Sequence, residues 1–399
     1  MLAPVARRER PMGRRNGPET GRVAQRMIRP RRLRVLTLLL LASCANASPL
    51  APAMKAVEEI RGYKFTGEVR TVAIDRSELG KHLEQQMKLG TPYSLEDWGR
   101  ILRALQLVDV EGSQIVPKLL ALYESQVLAF YDPHTHTYYS IRQLPKFPAG
   151  MAKLADPKVL EETVMVHELM HALQDQRFGL PAKEKALLRD TDANIAYHAV
   201  LEGEAVLVMV AHMLGKSGID IGEVIQDEAM LGMITSSANA EQMLDPSTPP
   251  YFASMLKFPY LEGMKFVIAA YRRGGWAELD KVHANPPRST RQILHPEEYF
   301  ARTFKHEPFD HTRPPGAIAA EHLGEFHWRF LVGQDAARGW VNDRAVVFRD
   351  GRVQIDTKWE SPERATAFAS AYEAFLKKRG VAATVTREGA AVKAAYAVK

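Results

Sequence analysis

Apolar residues at Leu160, Val164, Met170 and Leu173 recur at spacings near 3.6, which predicts a helix. Asp156 is placed to cap it, Pro157 stands at its first position and Gly179 stops it. A second stretch, residues 193–214, is apolar nearly all round and ends at Gly215, the pattern of a buried helix. Upstream, residues 127–131 and 137–141 are β-rich runs on either side of Asp132-Pro133-His134-Thr135, which predicts a β-hairpin with His134 and His136 exposed at its turn. Residues 58–110 mix short apolar runs with helical spacing at Leu95, Trp98, Ile101, Leu102 and Leu105. Toward the C-terminus, Asp350-Gly351 separates residues 344–348 from 353–355 as a hairpin signal, a helix is expected from Pro362 to about Arg379, and two β-like runs follow. The pattern therefore predicts an α+β chain, mostly helical. A small sheet precedes the helix after Asp156, and a C-terminal α/β subdomain occupies 336–399. The main domain is expected over 57–335, with an α/β part to about 150 and its central helices within 157–215.

Charge changes the picture only at the N-terminus. The chain of 399 residues carries 53 Lys plus Arg against 47 Asp plus Glu, a formal +6. Residues 1–43 hold eleven Arg, no Lys and two Glu, a net +9 that leaves −3 for the rest. A basic nucleic-acid-binding face on the folded body is thereby disfavoured, and no nucleic acid is expected as a partner. The lone cysteine, Cys44, excludes an internal disulfide framework. It follows a basic run, residues 27–34, and an apolar run, residues 35–43, too short for the ~20 residues of a permanent membrane span. Leu41-Ala42-Ser43-Cys44 resembles a bacterial lipobox, so residues 1–43 read as a signal and Cys44 as the lipidation site. Counted from Met27 that signal has 17 residues, which makes 1–26 an upstream extension outside the translated chain. Residues 44–56 read as a tether. The localisation expected is the cell envelope, lipid-anchored, most simply at the outer membrane.

The chemistry lies at His167-Glu168-Leu169-Met170-His171. Two histidines four residues apart stand about 40° apart around a helix, so both imidazoles leave one face and can hold one zinc ion. Glu168 is then positioned as general base. A third ligand further along the same helix would need Gly at position 174 and His at 177, where the chain has Gln174 and Arg177. The apolar helix that follows contains Glu202 and Glu204, about 200° apart, so only one can face the metal. Glu202 is the choice, with His198 one turn earlier as its neighbour and as the alternative ligand. Glu204 is expected to meet solvent or a salt bridge. Asp175 is expected to orient His171.

This set looks like the gluzincin branch of zinc metallopeptidases. Residues 129–133, 167–176, 202–205, 287–297 and 339–344 are also similar to stretches of a largely uncharacterised family of secreted bacterial zinc metallopeptidases. The resemblance implies a zincin-like fold, one catalytic Zn2+, and a strand before the active helix that binds extended polypeptide by edge pairing, a place matched by Thr137–Ile141. It also implies an oxyanion-stabilising residue beyond the third ligand, for which His295 is the first choice, followed by Tyr260 and Tyr299. Ser289-Thr290-Arg291-Gln292 also reads as a helix cap that ends at His295-Pro296. The function expected is a membrane-anchored zinc endopeptidase. The alternative is a non-catalytic envelope lipoprotein, a chaperone or assembly factor, that holds extended polypeptide in the same groove.

Overall fold

In the computed structural model the described residues are 48–110, 112–143, 156–229, 231–232 and 248–398. The signal at 1–43 and the lipidation site Cys44 lie outside them. From Ser48 onward the chain forms one compact unit.

The N-terminal part consists of α1 (Ala51–Arg61), β1 (Arg70–Ile74), α2 (Arg76–Leu89), α3 (Leu95–Ala104), α4 (Gly112–Gln126), β2 (Ala129–Asp132) and β3 (Thr137–Ile141). The helical centre has α5 (Pro157–Phe178), α6 (Leu180–Leu187), α7 (Thr191–Gly215), α8 (Ile221–Gln226) and α9 (Pro250–Ala284), with α9 broken at Gly274-Gly275, followed by α10 (Thr290–Leu294) and α11 (Pro296–Ala301). The last part is β4 (Ala317–Glu321), α12 (Gly324–Val332), α13 (Gln334–Ala337), β5 (Trp340–Phe348), β6 (Arg352–Trp359), α14 (Pro362–Lys378), β7 (Ala383–Glu388) and β8 (Ala391–Ala397). The α+β class and both hairpins agree with the sequence pattern. So does the central helix, where Asp156 accepts from the Lys158 N–H and Gly179 takes a left-handed φ of 66°.

Three expectations change. Thr137–Ile141 is not an edge strand: β1 pairs with it in parallel and β2 antiparallel, giving the order β1-β3-β2. Among the described strands the outer edge on the hairpin side belongs to β2, because the segment before α2 supplies a third strand. The proposed tether is folded from residue 48, and α1 begins at Ala51. Its flank and inner face, Leu50, Ala53 and Val57, are buried in the cluster that holds Val166, Leu169 and Leu173 of α5. The C-terminal sheet, ordered β4-β5-β6-β8-β7, takes its first strand from before residue 336. Its core is continuous with Ile101, Leu102 and Leu122 of α3 and α4.

Two glycines decide how the central helices meet. A Cβ on Gly203 of α7 would lie 2.3 Å from the backbone of Gly263 in α9, and one on Gly263 would lie 2.0 Å from the Ala199 carbonyl oxygen. Backbone therefore packs on backbone at this crossing. Tyr260, one helical turn before Gly263, is carried up to the face of α7 that bears Glu202.

Candidate metal centre

Helices α5 and α7 bring three side chains to one point. His167 Nε2 lies 3.2 Å from Glu202 Oε2, His171 Nε2 lies 3.4 Å from the same oxygen, and the two Nε2 atoms are 3.2 Å apart. Ligands ~2.0–2.2 Å from a tetrahedral ion stand ~3.3–3.6 Å from one another, so this triangle fits a zinc ion held by two imidazoles and a carboxylate. Burial disfavours a charged His171, yet the Glu202 carboxylate beside it raises its pKa to about 9. Burial likewise opposes ionisation of Glu202, and the two imidazoles overcome it, holding the carboxyl well below its usual range.

Around the triangle each partner is fixed by a named contact. His171 Nδ1 is 2.9 Å from Gln174 Oε1, which leaves Nε2 to face the triangle. Gln174, fully buried, donates through Nε2 to the Leu201 carbonyl at 3.1 Å and to Glu204 Oε2 at 2.7 Å. Glu204 in turn meets Arg61 Nε at 2.9 Å and His283 Nε2 at 2.7 Å. Against burial, Arg61 first and then His283 lower its pKa to about 2. Glu168 accepts from the Tyr131 backbone N–H at 2.9 Å, on the side of β2 that faces away from β3, and burial raises its pKa. The Tyr260 ring stacks on His167 at 6.0 Å, and the Glu202 charge, more than desolvation, pushes its phenol well above the usual value.

A cavity of about 410 Å³ opens at Glu202, Tyr260 and His198 and continues between apolar side chains such as Trp98, Leu105 and Met255.

Residues 301–399 match the model of a domain of unknown function (DUF8575). No curated protein and no solved structure matches the chain. The His167–His171–Glu202 triangle lies wholly outside the DUF8575 region, which begins at Ala301, the last residue of α11.

The structure unites His167, His171 and Glu202, with Glu168 beside them, and separates several of the other candidates. His198 Nδ1 is 4.0 Å from Glu202 Oε1, and its side chain is 52% exposed. Asp175 does not hold His171: it accepts from the Tyr131 hydroxyl at 2.8 Å and lies 3.0 Å from His136 Nδ1. At i+4 it turns toward the hairpin, while Gln174 at i+3 reaches the imidazole. His295 pairs with buried Glu325 of the DUF8575 region at 3.0 Å and with Arg329 at 3.1 Å, so its ring is committed to a helix junction away from the cavity. Tyr299 donates to the Asn285 carbonyl and packs on Phe266. Of the three oxyanion candidates only Tyr260 reaches the centre. Two supporting residues, Gln174 and Arg61, escaped the sequence reading. The signal for Arg61 was Glu204 itself, a charge inside an apolar helix that requires a buried cation.

Proposed function

We propose that the chain is a zinc-dependent peptide hydrolase of zincin-like architecture, with His167, His171 and Glu202 as metal ligands. The observation that carries this reading is the triangle of donor atoms with 3.2, 3.4 and 3.2 Å sides. Bound there, zinc supplies a Lewis acid for a carbonyl and lowers the pKa of a water. Glu168 takes the proton of the attacking water and passes it to the leaving amine, and its carboxylate is kept in position by the Tyr131 N–H. Tyr260 donates to the oxygen on which charge develops. The outer edge of β2, apart from the Tyr131 N–H that Glu168 occupies, aligns the peptide by main-chain pairing, in place of β3. The cavity beyond Glu202 receives a bulky apolar side chain next to the scissile bond, as its Trp98, Leu105 and Met255 lining favours.

The test compares cleavage of a peptide library and zinc content for the wild-type chain and Glu168→Gln. The expected result is a ~10²–10⁴-fold loss of turnover with zinc retained. Full activity in Glu168→Gln would sink the mechanism, and peptide binding without cleavage in the wild type would favour a holding protein instead. The proposed location, tethered to the envelope membrane through a lipid on Cys44, rests on the lipobox-like residues 41–44. Mass spectrometry of the mature N-terminus is expected to find acylated Cys44, and an unmodified or uncleaved terminus would remove the tether.

A further inference from the structure

The cavity that opens at Glu202 is a channel rather than a pocket for one side chain. On α7 its wall is made by Glu202, His198, Ile195, Asn194 and Thr191, which follow one another along one face, and at 1.5 Å per residue the interval from Thr191 to Glu202 covers about 16 Å. On α9 the lining residues from Tyr251 to Tyr260 cover about 14 Å by the same measure. Both stretches reach the metal centre at one end, through Glu202 and Tyr260. At the other end stands Glu321, the last residue of β4, which is 7% exposed and accepts from the Thr191 hydroxyl at 2.6 Å. Tyr251 lies there too, within the field of the Glu321 charge.

The charge along this channel has one sign. Among the described residues that line it Glu202 and Glu321 are the acids, and no Lys or Arg stands with them. The groups bonded to the Glu321 carboxyl are the neutral hydroxyls of Thr191 and Tyr93, which offset in part the rise in its pKa that burial causes. His322, the charged ring behind it, is engaged by Asp190 at 2.8 Å. His327, 3.0 Å from the Tyr251 hydroxyl, is kept neutral by burial, its pKa lowered to about 4. A buried carboxyl with neutral partners, at the end of a channel without basic residues, is complementary to an incoming cation.

We propose, on the reading of the triangle as a peptide-cleaving centre, that Glu321 binds a cationic nitrogen of the substrate, either a peptide α-ammonium or a lysine or arginine side chain, at the opposite end of the channel from the scissile bond. An extended chain rising ~3.3 Å per residue spans the channel in four or five residues, or fewer where a side chain completes the distance. Apolar residues of the substrate fill the part between, against Trp98, Leu105 and Met255. An α-ammonium held at Glu321 makes the chain a trimming enzyme that measures a short fragment from the substrate's N-terminus, whereas a side chain held there makes it an endopeptidase that selects a basic residue at a distance. Glu321 and His327 belong to residues 301–399, so the DUF8575 region supplies this end of the channel.

Fluorescence anisotropy on the full, zinc-loaded Glu168→Gln chain tests this by binding, with C-terminally labelled octapeptides of Leu and Ala. The N-terminus is free or acetylated, and in the acetylated series Lys or norleucine is moved through every position. A cationic form is expected to bind about tenfold or more tightly than the acetylated norleucine peptides, a preference that shrinks to about twofold or less when Glu321→Gln is added. Loss of the preference on acetylation assigns the α-ammonium, and a preferred lysine position assigns the side chain. Equal binding of all forms, or a preference that survives Glu321→Gln, overturns the inference, even where the wild type cleaves the peptides. Glu321-dependent preference in a chain whose wild type cleaves none of them upholds it and overturns the peptidase. Should Glu321→Gln fail to fold, carbodiimide coupling of the bound amine-bearing peptide decides: mass spectrometry is expected to find the new amide at Glu321, and its absence there refutes the site.

Discussion

Glu202 in the helical centre and Asp343 in the C-terminal sheet are both carboxylates enclosed by the fold, and their neighbours differ in kind. Asp343 accepts from the backbone N–H groups of Leu323 and Gly324 and from the indole N–H groups of Trp328 and Trp340, at 2.8, 2.9, 2.9 and 2.8 Å. Those donors are neutral and permanent, so the carboxylate is complete as it stands. Glu202 faces His171 Nε2, whose ring proton is directed to Nδ1 by Gln174. Only a cation joins them there, either the proton that the Glu202 charge holds on His171, raising its pKa to about 9, or a metal ion that displaces it. A carboxylate closed by N–H donors organises structure, whereas one opposed by other ligand atoms calls for a proton or a metal.

The largest effect expected follows from that contrast. Asp343→Ala strands four buried donors, each costing about 1–3 kcal/mol, so a loss of at least about 4 kcal/mol is expected in denaturant unfolding, equal with and without zinc. Glu202→Ala also loses the metal-free pairing with His171, but what sets it apart is the loss of the part of the zinc-dependent gain that belongs to this centre, about 2.7 kcal/mol at a hundredfold excess over Kd. A zinc-dependent loss for Asp343→Ala, or an undiminished zinc gain for Glu202→Ala, would break the comparison.

What the chain's own pattern revealed was local. Helix caps, the Asp132–His136 turn and the one-face placement of His167 and His171 depend on residues within a few positions, and each could be read from spacing. Glu202 was legible because a carboxylate in an otherwise apolar helix demands an explanation. The edge strand was misread because periodicity identifies a strand without naming its neighbours, and β1 reaches β3 across more than sixty residues. His295 ends a capped helix as its spacing implies, but its ring turns to Glu325, a partner in another element that spacing cannot name. The choice among His295, Tyr260 and Tyr299 depended on where α9 crosses α7, which the Gly203–Gly263 contact sets.

Tyr260→Phe sharpens the comparison from the catalytic side. Its ring still packs on His167, so zinc content is expected to stay at the wild-type value while kcat falls about 10²-fold, the cost of one lost donor to a developing oxyanion, with KM changing much less. Equal activity would assign that role elsewhere, and a parallel loss of zinc would make Tyr260 a structural support of the ligands.

The smallest effect is expected at His198. It approaches Glu202 from the preceding helical turn, as a ligand or a supporting residue would, but its side chain is half exposed and its Nδ1 stands 4.0 Å from Oε1. At that separation and exposure a pair contributes about 0–1 kcal/mol. Gln174, by contrast, is fully buried and bonded at 2.9 Å to His171. His198→Ala should therefore weaken zinc binding less than about fivefold in a chelator competition, whereas Gln174→Ala should weaken it by about 10–100-fold, the range found for residues that orient metal-bound histidines. If the two values were reversed, the centre would be held from the solvent side of α7, and His198 would return as a ligand in place of Glu202.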